Sequence, residues 1–350
     1  MSRCFLGLKG EIIMGKAENS IKKQICPFLA PKIRSIIERL PLEILNKTEE
    51  IRLRHSQPLI IYWAGGESYL GERGPVLTAG EAYLVFSEDL EKTLELISSY
   101  SLYAFEEELK QGYLTLPGGH RVGLAGRAVL EKGRIKILRD ISSLNFRVAR
   151  QIRGAGEKVL GFLFDRRTCR VYHTLVISPP QGGKTTLLRD LARLISDGAG
   201  ILGQVGKKVG IVDERSEIAG CFQGVPQLDI GTRTDVLDAC PKAEGIMLML
   251  RSLSPQVIIT DEIGRAEDVQ AIAEAVSAGV SVIASVHGSS LEEICQRPVL
   301  GDLLQKNFFE RLIFLSNSRG PGTLEMIIEG ERGLPLYSAR YGGEGPKDVP

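Results

Sequence analysis

The sequence predicts an α/β protein in which a domain with a parallel-sheet core follows a smaller α+β amino-terminal domain. Its 350 residues exceed the ~100–200 residues of one typical domain, so two domains are expected. After about residue 153, apolar runs typical of buried strands alternate with amphipathic helical patterns. Before that point, short helical and strand patterns are mixed and separated by turn signals. We therefore expect domains over 1–153 and 154–341 and a flexible tail over 342–350, with the first ~15 residues disordered.

Composition and charge exclude several classes of protein. Hydrophobic residues make up 43% of the chain and charged residues 25%, which is ordinary for a globular protein and argues against disorder. The net charge is +1, so no global positive field indicates nucleic acid or anionic lipid as the partner. The longest apolar runs, such as Leu59–Trp63, are far shorter than the ~20 residues that cross a bilayer, and neither a transmembrane segment nor a signal peptide is predicted. Six cysteines without a C-x-x-C pair favour free thiols in a reducing compartment.

The first domain offers three assignable elements and one unusual stretch. Glu50–Trp63 predicts two short strands around a Gln-Pro turn, and Glu88–Tyr103 predicts a helix. Between Arg121 and Arg153, nine Lys or Arg residues stand against two acidic residues, and we name this stretch the basic block. Three interpretations of the basic block stay open: a solvated face, a surface that faces phosphates, or a docking surface for a partner.

The second domain shows the strand and helix alternation in detail. Two helices each place apolar residues on one face, and two late strands around a turn at 316–322 predict a terminal hairpin. The predicted strands are Thr174–Ile177, Val209–Val212, Val257–Thr260, Val280–Ser285, Leu312–Leu315 and Leu324–Ile328, and the predicted helices are Thr185–Ile195 and Ala266–Val276.

A phosphate-loop motif lies between the first of these strands and the first helix. Ser178–Thr185 matches the pattern G-x-x-x-x-G-K-[ST], except that a serine stands at the first glycine. Such a loop directs backbone N–H groups at phosphate oxygens, at the positive end of a helix. Lys184 is therefore expected to contact the β- and γ-phosphates of ATP, and Thr185 to bind Mg²⁺. The predicted nucleotide-binding residues are Ser178, Pro179, Pro180, Gln181, Gly182, Gly183, Lys184, Thr185 and Thr186.

Acidic residues follow two other predicted strands. Asp261 and Glu262 end the apolar run Val257–Thr260, where Asp261 is expected to bind Mg²⁺ and Glu262 to polarise the attacking water. The alternative is that this pair caps the next helix. Glu214 and Glu217 follow Val209–Val212 and are expected at the same edge of the sheet as catalytic groups.

One histidine and several arginines complete the predicted site. His287 follows Val280–Ser285 and is expected to contact the γ-phosphate as a donor. Together these strand ends indicate a P-loop ATPase with a catalytic glutamate. Five arginines are candidate arginine fingers, in cis or in trans, although such a residue is more often a surface ion-pair partner: Arg147, Arg150 and Arg153 at the domain boundary, and Arg233 and Arg265 near the predicted site.

Longer stretches resemble the stage III sporulation protein AA family of endospore-forming bacteria, which is itself similar to the type II and type IV secretion traffic ATPases. The resemblance covers most of the chain, and the acidic group at 213–217 and His287 match the aspartate and histidine boxes of the secretion ATPases, although the residues around both depart from the broader pattern. The stretches that carry it are 50–54, 117–123, 141–145, 182–190, 212–218 and 229–236.

The resemblance implies a RecA-like P-loop ATPase domain that uses ATP and Mg²⁺. It also implies a hexameric homo-oligomer in the mother-cell cytoplasm, at the base of a channel between mother cell and forespore. The partners expected on this basis are membrane-bound channel proteins, with peripheral association at the inner face of the membrane, and nucleic acid is not the first choice. Energising transport or assembly through that channel is the implied role.

Two other classes of function stay open from the residues. The basic block also suits a nucleic-acid-binding P-loop ATPase in which nucleotide only gates binding. Because a serine replaces the first glycine of the motif at position 178, a second alternative is an assembly factor that binds ATP and hydrolyses little of it.

Overall fold

A computed structural model describes residues 21–63, 65–98, 112–131, 133–165, 167–198 and 205–339. The chain forms two compact units that divide between Arg150 and Gln151. The sequence placed this boundary after Arg153. The difference arises because Gln151 exchanges two hydrogen bonds of 3.0 Å with the backbone of Asp229, and Arg153 pairs with the Asp229 carboxylate, so both residues belong to the second unit. The first residues and the tail, for which disorder was expected, lie outside the described residues.

The first unit is built on a seven-stranded antiparallel sheet with the order β4-β3-β2-β1-β7-β6-β5. The two strands predicted around the Gln-Pro turn are confirmed as β1 and β2, and the predicted helix is confirmed up to Ser98, with its remainder outside the described part of the chain. Its elements are α1 Pro31–Glu38, α2 Leu42–Lys47, β1 Thr48–Arg54, β2 Ile60–Trp63, β3 Gly66–Gly71, β4 Gly74–Val76, α3 Ser87–Ser98, β5 Tyr113–Leu116, β6 His120–Glu131 and β7 Arg134–Arg147, with short π- or 3₁₀-helical turns at Ile21–Ile25, Cys26–Phe28 and Ala79–Glu81.

Most of the basic block lies on the β6–β7 hairpin. Beyond Ala125 the two strands pair with each other, whereas β1 and β5 pair only with the part nearer the body of the sheet. Within this outer ribbon, Arg127 forms an ion pair of 2.9 Å with Asp140, and Lys136 forms one of 2.8 Å with Glu131. The two acidic residues of the block therefore neutralise two of its basic residues locally.

The second unit contains an eight-stranded sheet with the order β10-β9-β11-β12-β8-β13-β14-β15. Neighbours from β10 to β13 are parallel, and β13, β14 and β15 are antiparallel, so the predicted parallel core and terminal hairpin are both confirmed. Its elements are α4 Glu157–Leu160, β8 Thr174–Ser178, α5 Lys184–Asp197, β9 Val209–Asp213, β10 Thr234–Asp238, α6 Lys242–Ser252, β11 Val257–Thr260, α7 Ala266–Ser277, β12 Ser281–His287, α8 Leu291–Cys295, α9 Pro298–Gln305, β13 Arg311–Ser316, β14 Thr323–Glu329 and β15 Pro335–Ser338.

The core of this unit lies on both faces of the sheet. Every residue of β8, β9 and β11 is buried, as expected for parallel strands covered by helices. Val176 of β8 packs in the cluster with the apolar face of α5, whereas its neighbours Leu175 and Ile177 pack in the cluster with α7. Because β8, β9, β11 and β12 are parallel, their carboxyl ends meet at one edge of the sheet.

The described residues include no helix that is long and apolar enough to span a bilayer.

Candidate functional site

The phosphate loop links the end of β8 to the start of α5 and is closely packed. A Cβ on Gly182 would lie 1.9 Å from Oγ of Ser178, and a Cβ on Gly183 would lie 2.8 Å from the backbone of Gly322. Gly183 also has φ +85°, in the left-handed region that favours glycine. The backbone N–H of Gly322 donates to the carbonyl of Gly182 at 3.2 Å. The turn between β13 and β14 therefore packs directly against this loop.

Ser178, which replaces the first glycine of the motif, is fully buried at the end of β8. Its hydroxyl donates to the carbonyl of Pro179 at 3.0 Å. The serine therefore has a packing role within the loop and leaves the strand-loop-helix arrangement intact.

Lys184, the first residue of α5, lies folded over the loop. Its Nζ donates to the carbonyls of Ser178 and Pro179, at 3.4 Å each, and to Nδ1 of His287 at 2.9 Å. Only 6% of the residue is exposed, and this burial lowers the pKa of Lys184. The lysine therefore occupies the centre of the site, where it contacts a residue from the end of β12.

His287 connects Lys184 to the predicted catalytic glutamate. A protonated lysine has only donors, so Nδ1 of His287 accepts, and the ring proton on Nε2 is donated to Oε1 of Glu262 at 2.6 Å. The other carboxylate oxygen of Glu262, Oε2, pairs with Nη1 of Arg215 at 2.8 Å. Glu262 has φ 42°, which is uncommon for a residue with a side chain. Four side chains from four segments thus form one chain of contacts: Lys184, His287, Glu262 and Arg215.

Asp261 differs from its neighbour Glu262 in its hydrogen bonding. It is 3% exposed, and neither carboxylate oxygen has a hydrogen-bond partner among the described residues. Burial, and then the negative charge of Asp213, raise the pKa of Asp261 to about 7, while Lys242 lowers it. A buried carboxylate without partners is a suitable ligand for a divalent cation.

The residues present fit Mg²⁺ that is bound together with phosphates. Among the described residues no group of three or more His, Cys, Asp or Glu side chains could hold a metal ion, so no all-protein cage exists there. Mg²⁺ usually takes one or two protein ligands and completes its shell with water and substrate phosphates. Asp261 and the hydroxyl of Thr185 would supply the protein ligands.

The acidic segment after β9 is fixed by two buried side chains. The carboxylate of Asp213 accepts from the backbone N–H groups of residues 217, 218 and 219 at 2.8–2.9 Å. Arg189, on α5, donates to the carbonyls of Glu217 and Ile218 at 2.6 and 2.5 Å. The hydroxyl of Ser216 donates to Asp238 at 2.5 Å, so the segment is tied to the end of β10 as well. Its backbone is consequently anchored beside the phosphate-loop helix.

Glu214 and Glu217 lie in this segment, as predicted, but Glu214 is engaged. Its carboxylate pairs with the buried Nζ of Lys242, and Nη1 of Arg265 lies 4.0 Å from its other oxygen. Glu217 lies close enough to raise the pKa values of both Lys184 and Asp261 by its charge. Lys242 and Arg189 also belong to this site, and the sequence patterns did not identify them. Asp213 and Arg215 lie in the acidic segment that the sequence places at this edge, where it assigns neither a role of its own.

The predicted arginine fingers are spread over the chain. Arg265 is the one near Glu214. Arg233 does not lie near the phosphate loop of its own chain, which corrects the prediction, because it precedes β10 and donates to the carbonyl of Ser196 at the far end of α5. Arg153 pairs with Asp229, and Arg150 of the first unit donates to the carbonyl of Thr48 at 2.7 Å. Arg147 ends β7 in the first unit and is exposed.

Comparisons with known proteins agree with this geometry. The profile of the family described as "Sporulation stage III, protein AA" matches residues 19–336. The chain is 48% identical over 306 residues to stage III sporulation protein AA of Bacillus subtilis, covering 87% of this chain and 94% of that protein. It is 29% identical over 168 residues to the uncharacterized protein ycf45 of Cyanidium caldarium, which covers 47% of this chain and 46% of that protein.

The fold has a counterpart among solved structures. The X-ray structure of the Legionella pneumophila ATPase DotB superposes with a TM-score of 0.52 at 17% identity, covering 81% of this chain and 74% of that one. The predicted fold class, an α/β P-loop ATPase fold with a parallel-sheet core, is confirmed.

Proposed function

Because this chain belongs to the stage III sporulation protein AA family and shares its fold with an ATPase, we propose that it binds ATP with Mg²⁺ and hydrolyses it. One observation carries the proposal. At one edge of a parallel sheet, the lysine of the phosphate loop and a glutamate converge with a buried aspartate that has no hydrogen-bond partner among the described residues. Parallel sheets bind ligands at this edge.

Different residues of the site bind the phosphates and the metal ion during phosphoryl transfer. Backbone N–H groups at the start of α5 bind phosphate oxygens, and Lys184 leaves His287 to contact the β- and γ-phosphates. Bound Mg²⁺ would supply neutralisation of the charge that develops on the phosphate oxygens. Asp261 and Thr185 bind that ion and so orient the triphosphate.

Glu262 acts on the attacking water. A water oxygen attacks the γ-phosphorus while the bond from that phosphorus to the bridging oxygen of ADP breaks, and a proton of the water is accepted at a Glu262 oxygen. The products are ADP and phosphate. Glu214 and Glu217 add negative charge beside the site and position Lys242 and the anchored segment.

For the cellular role we propose an energy source for transport or assembly in sporulation. The family membership supports the sporulation context, and the ATPase fold supports a ring-forming motor. On this proposal six copies assemble in the mother-cell cytoplasm and act on membrane-bound channel proteins between mother cell and forespore.

Glu262→Gln tests the catalytic assignment. We expect hydrolysis to fall by 10²- to 10⁴-fold, because the amide cannot accept the proton of water, while ATP binding persists. Glu274→Gln, an exposed glutamate on α7, is the matched control. Turnover of Glu262→Gln at the wild-type rate in a ring-forming preparation would show the assignment to be wrong.

Mass photometry with and without ATP and Mg²⁺ tests the assembly. A nucleotide-dependent ring supports the motor, whereas a monomer at all nucleotide concentrations contradicts it. ATP binding with negligible hydrolysis in the wild-type ring would instead identify an assembly factor.

A further inference from the structure

Building on the proposed ATPase function, we propose that Arg215 is the arginine that neutralises the γ-phosphate within its own chain. In the structure, Glu262 binds this arginine. Arg215 is none of the five arginines that the sequence indicated.

The first observation is that both carboxylate oxygens of Glu262 already have a partner. Its two oxygens accept from His287 and Arg215, at 2.6 and 2.8 Å. A carboxylate whose oxygens both accept charge-assisted or short hydrogen bonds is poorly placed to orient water and to accept its proton. Catalysis therefore requires that one of these partners moves.

The second observation identifies which partner can move. The Arg215 side chain is 60% exposed, whereas that of Glu262 is 22% exposed. The backbone that carries Arg215 is anchored on its amino side by strand β9. On its carboxyl side, Asp213 and Arg189 bind the main chain of Ile218, and the hydroxyl of Ser216 binds Asp238. The guanidinium can therefore swing while the segment that carries it stays in place.

The third observation concerns what would attract Arg215. Glu262 is joined through His287 to Lys184, the residue that meets the β- and γ-phosphates. A γ-phosphate beside Lys184 offers a guanidinium three oxygens and more negative charge than one carboxylate does. When the Arg215 guanidinium moves from Glu262 to the γ-phosphate, it stabilises the negative charge of the phosphoryl group that is transferred. The same movement leaves one Glu262 oxygen available to the attacking water.

ADP lacks the γ-phosphate and should leave Arg215 on Glu262. The site would then distinguish the triphosphate from the diphosphate through one side chain. Arg265 is less suited to this role, because the structure places it 4.0 Å from Glu214 and not on Glu262.

The test compares Arg215→Ala and Arg215→Lys with the wild-type full chain, and Arg251→Ala, an exposed arginine at the end of α6, is the control. The measurements are steady-state hydrolysis and equilibrium binding of ADP and of the non-hydrolysable analogue AMPPNP. For Arg215→Ala we expect kcat to fall at least ~10²-fold, AMPPNP affinity to fall ~10-fold, and ADP affinity to change less than ~2-fold. Arg215→Lys should be intermediate, since lysine keeps the charge and loses the planar fork.

Three results would overturn the inference. Equal losses of ADP and AMPPNP affinity would indicate a purely structural role. A rise in hydrolysis for Arg215→Ala would indicate that the arginine only restrains Glu262, and an equal loss for Arg251→Ala would indicate a non-specific charge effect. Failure of the wild-type protein to bind either nucleotide would reject the proposed function itself, and that outcome is distinct from the other three.

Discussion

At the scale of single residues, two buried aspartates at one sheet edge differ in their hydrogen bonding. Asp213 accepts three backbone hydrogen bonds, whereas both oxygens of Asp261 lack a partner among the described residues. A satisfied buried carboxylate stabilises the fold, and an unsatisfied one destabilises it. The same substitution at the two positions should therefore have opposite effects.

We predict that Asp261→Asn stabilises the nucleotide-free protein by ~1–3 kcal/mol at pH 8. The folded-state pKa of Asp261 is about 7 against an ordinary value of 3.8. The folded state therefore binds more protons than the unfolded state between these pH values, and wild-type stability falls as the pH rises through that window. The gain from Asp261→Asn should shrink as the pH falls from 8 to 5, as measured by urea unfolding in EDTA.

Asp213→Asn is the matched comparison and should destabilise the protein by ~1–3 kcal/mol, because an amide has one acceptor oxygen for three donors. If both variants shift the urea midpoint in the same direction, the contrast between the two aspartates is wrong.

The sequence predicts which residues belong to the site better than it predicts which of them are in contact. Lys184, Asp261 and Glu262 were assigned from their places after apolar strands, and the structure brings them to one edge. The contact between Arg215 and Glu262 joins two loops that lie far apart in the chain, and Glu262 has a left-handed backbone, and no spacing pattern reveals either feature. The sequence does not show that β10 begins directly after Arg233. It therefore does not reveal that Arg233 lies at the amino end of this strand, away from the phosphate loop.

At the scale of elements, the phosphate loop and the end of β8 are coupled by one close approach. Gly182 has no room for a Cβ, which would lie 1.9 Å from Oγ of Ser178. The serine that departs from the motif is thus part of what makes glycine necessary at position 182.

We predict that Gly182→Ala destabilises the protein and weakens nucleotide binding at least ~10-fold, because Ser178 or the loop must shift. Adding Ser178→Gly removes the clashing hydroxyl and should recover part of the loss, with a coupling of ~1–2 kcal/mol in the double-mutant cycle. Thermal unfolding and nucleotide titration of the four proteins measure it. Additive effects would mean that the two residues do not interact.

A second prediction at this scale concerns His120, which joins three segments of the first unit. It is fully buried at the start of β6, its Nδ1 accepts from the N–H of Ala149 at 2.9 Å, and its Nε2 lies 3.0 Å from Oε1 of Gln24. Burial lowers the pKa of His120 to about 4 from 6.5. The folded state binds fewer protons in this window, so stability should fall as the pH drops from ~6.5 towards 4.

His120→Gln should weaken that pH dependence, since glutamine does not titrate. His55→Gln, at an exposed position, is the control and should leave it unchanged. Chemical unfolding between pH 4.5 and 7.5 distinguishes them, and an unchanged slope in His120→Gln would reject the explanation.

Buried strands with continuous apolar patterns could be predicted, and polar strands at the edges of the sheets could not. The buried strands β8, β9 and β11 were predicted within a residue of their ends. β10 was missed because its sequence, Thr-Asp-Val-Leu-Asp, is polar and half-exposed at the sheet edge, and β15 begins at a proline. The charges of the basic block concealed the period-two pattern of β6 and β7.

At the scale of the whole molecule, each unit has a hydrophobic core of its own. One cluster of buried side chains lies within the first unit, and two lie on the faces of the second sheet. The phosphate loop, Asp261 and Glu262 all belong to the second unit. Ligand binding to folded protein stabilises the part that contains the site.

We therefore predict two transitions in calorimetry of the full chain, of which Mg²⁺ and AMPPNP raise only one. At a ligand concentration 100 times the Kd, the stabilisation is about 2.7 kcal/mol, which raises the transition temperature of a domain of this size by ~5–11 °C. His120→Gln at pH 5 should change the temperature of the other transition. The ligand effect therefore assigns one transition to the second unit, and the substitution assigns the other transition to the first unit. Lys184→Ala is the control that should abolish the ligand shift. A single transition would show that the two cores unfold as one cooperative body, whereas equal ligand shifts of two transitions would show that nucleotide binding also stabilises the amino-terminal unit.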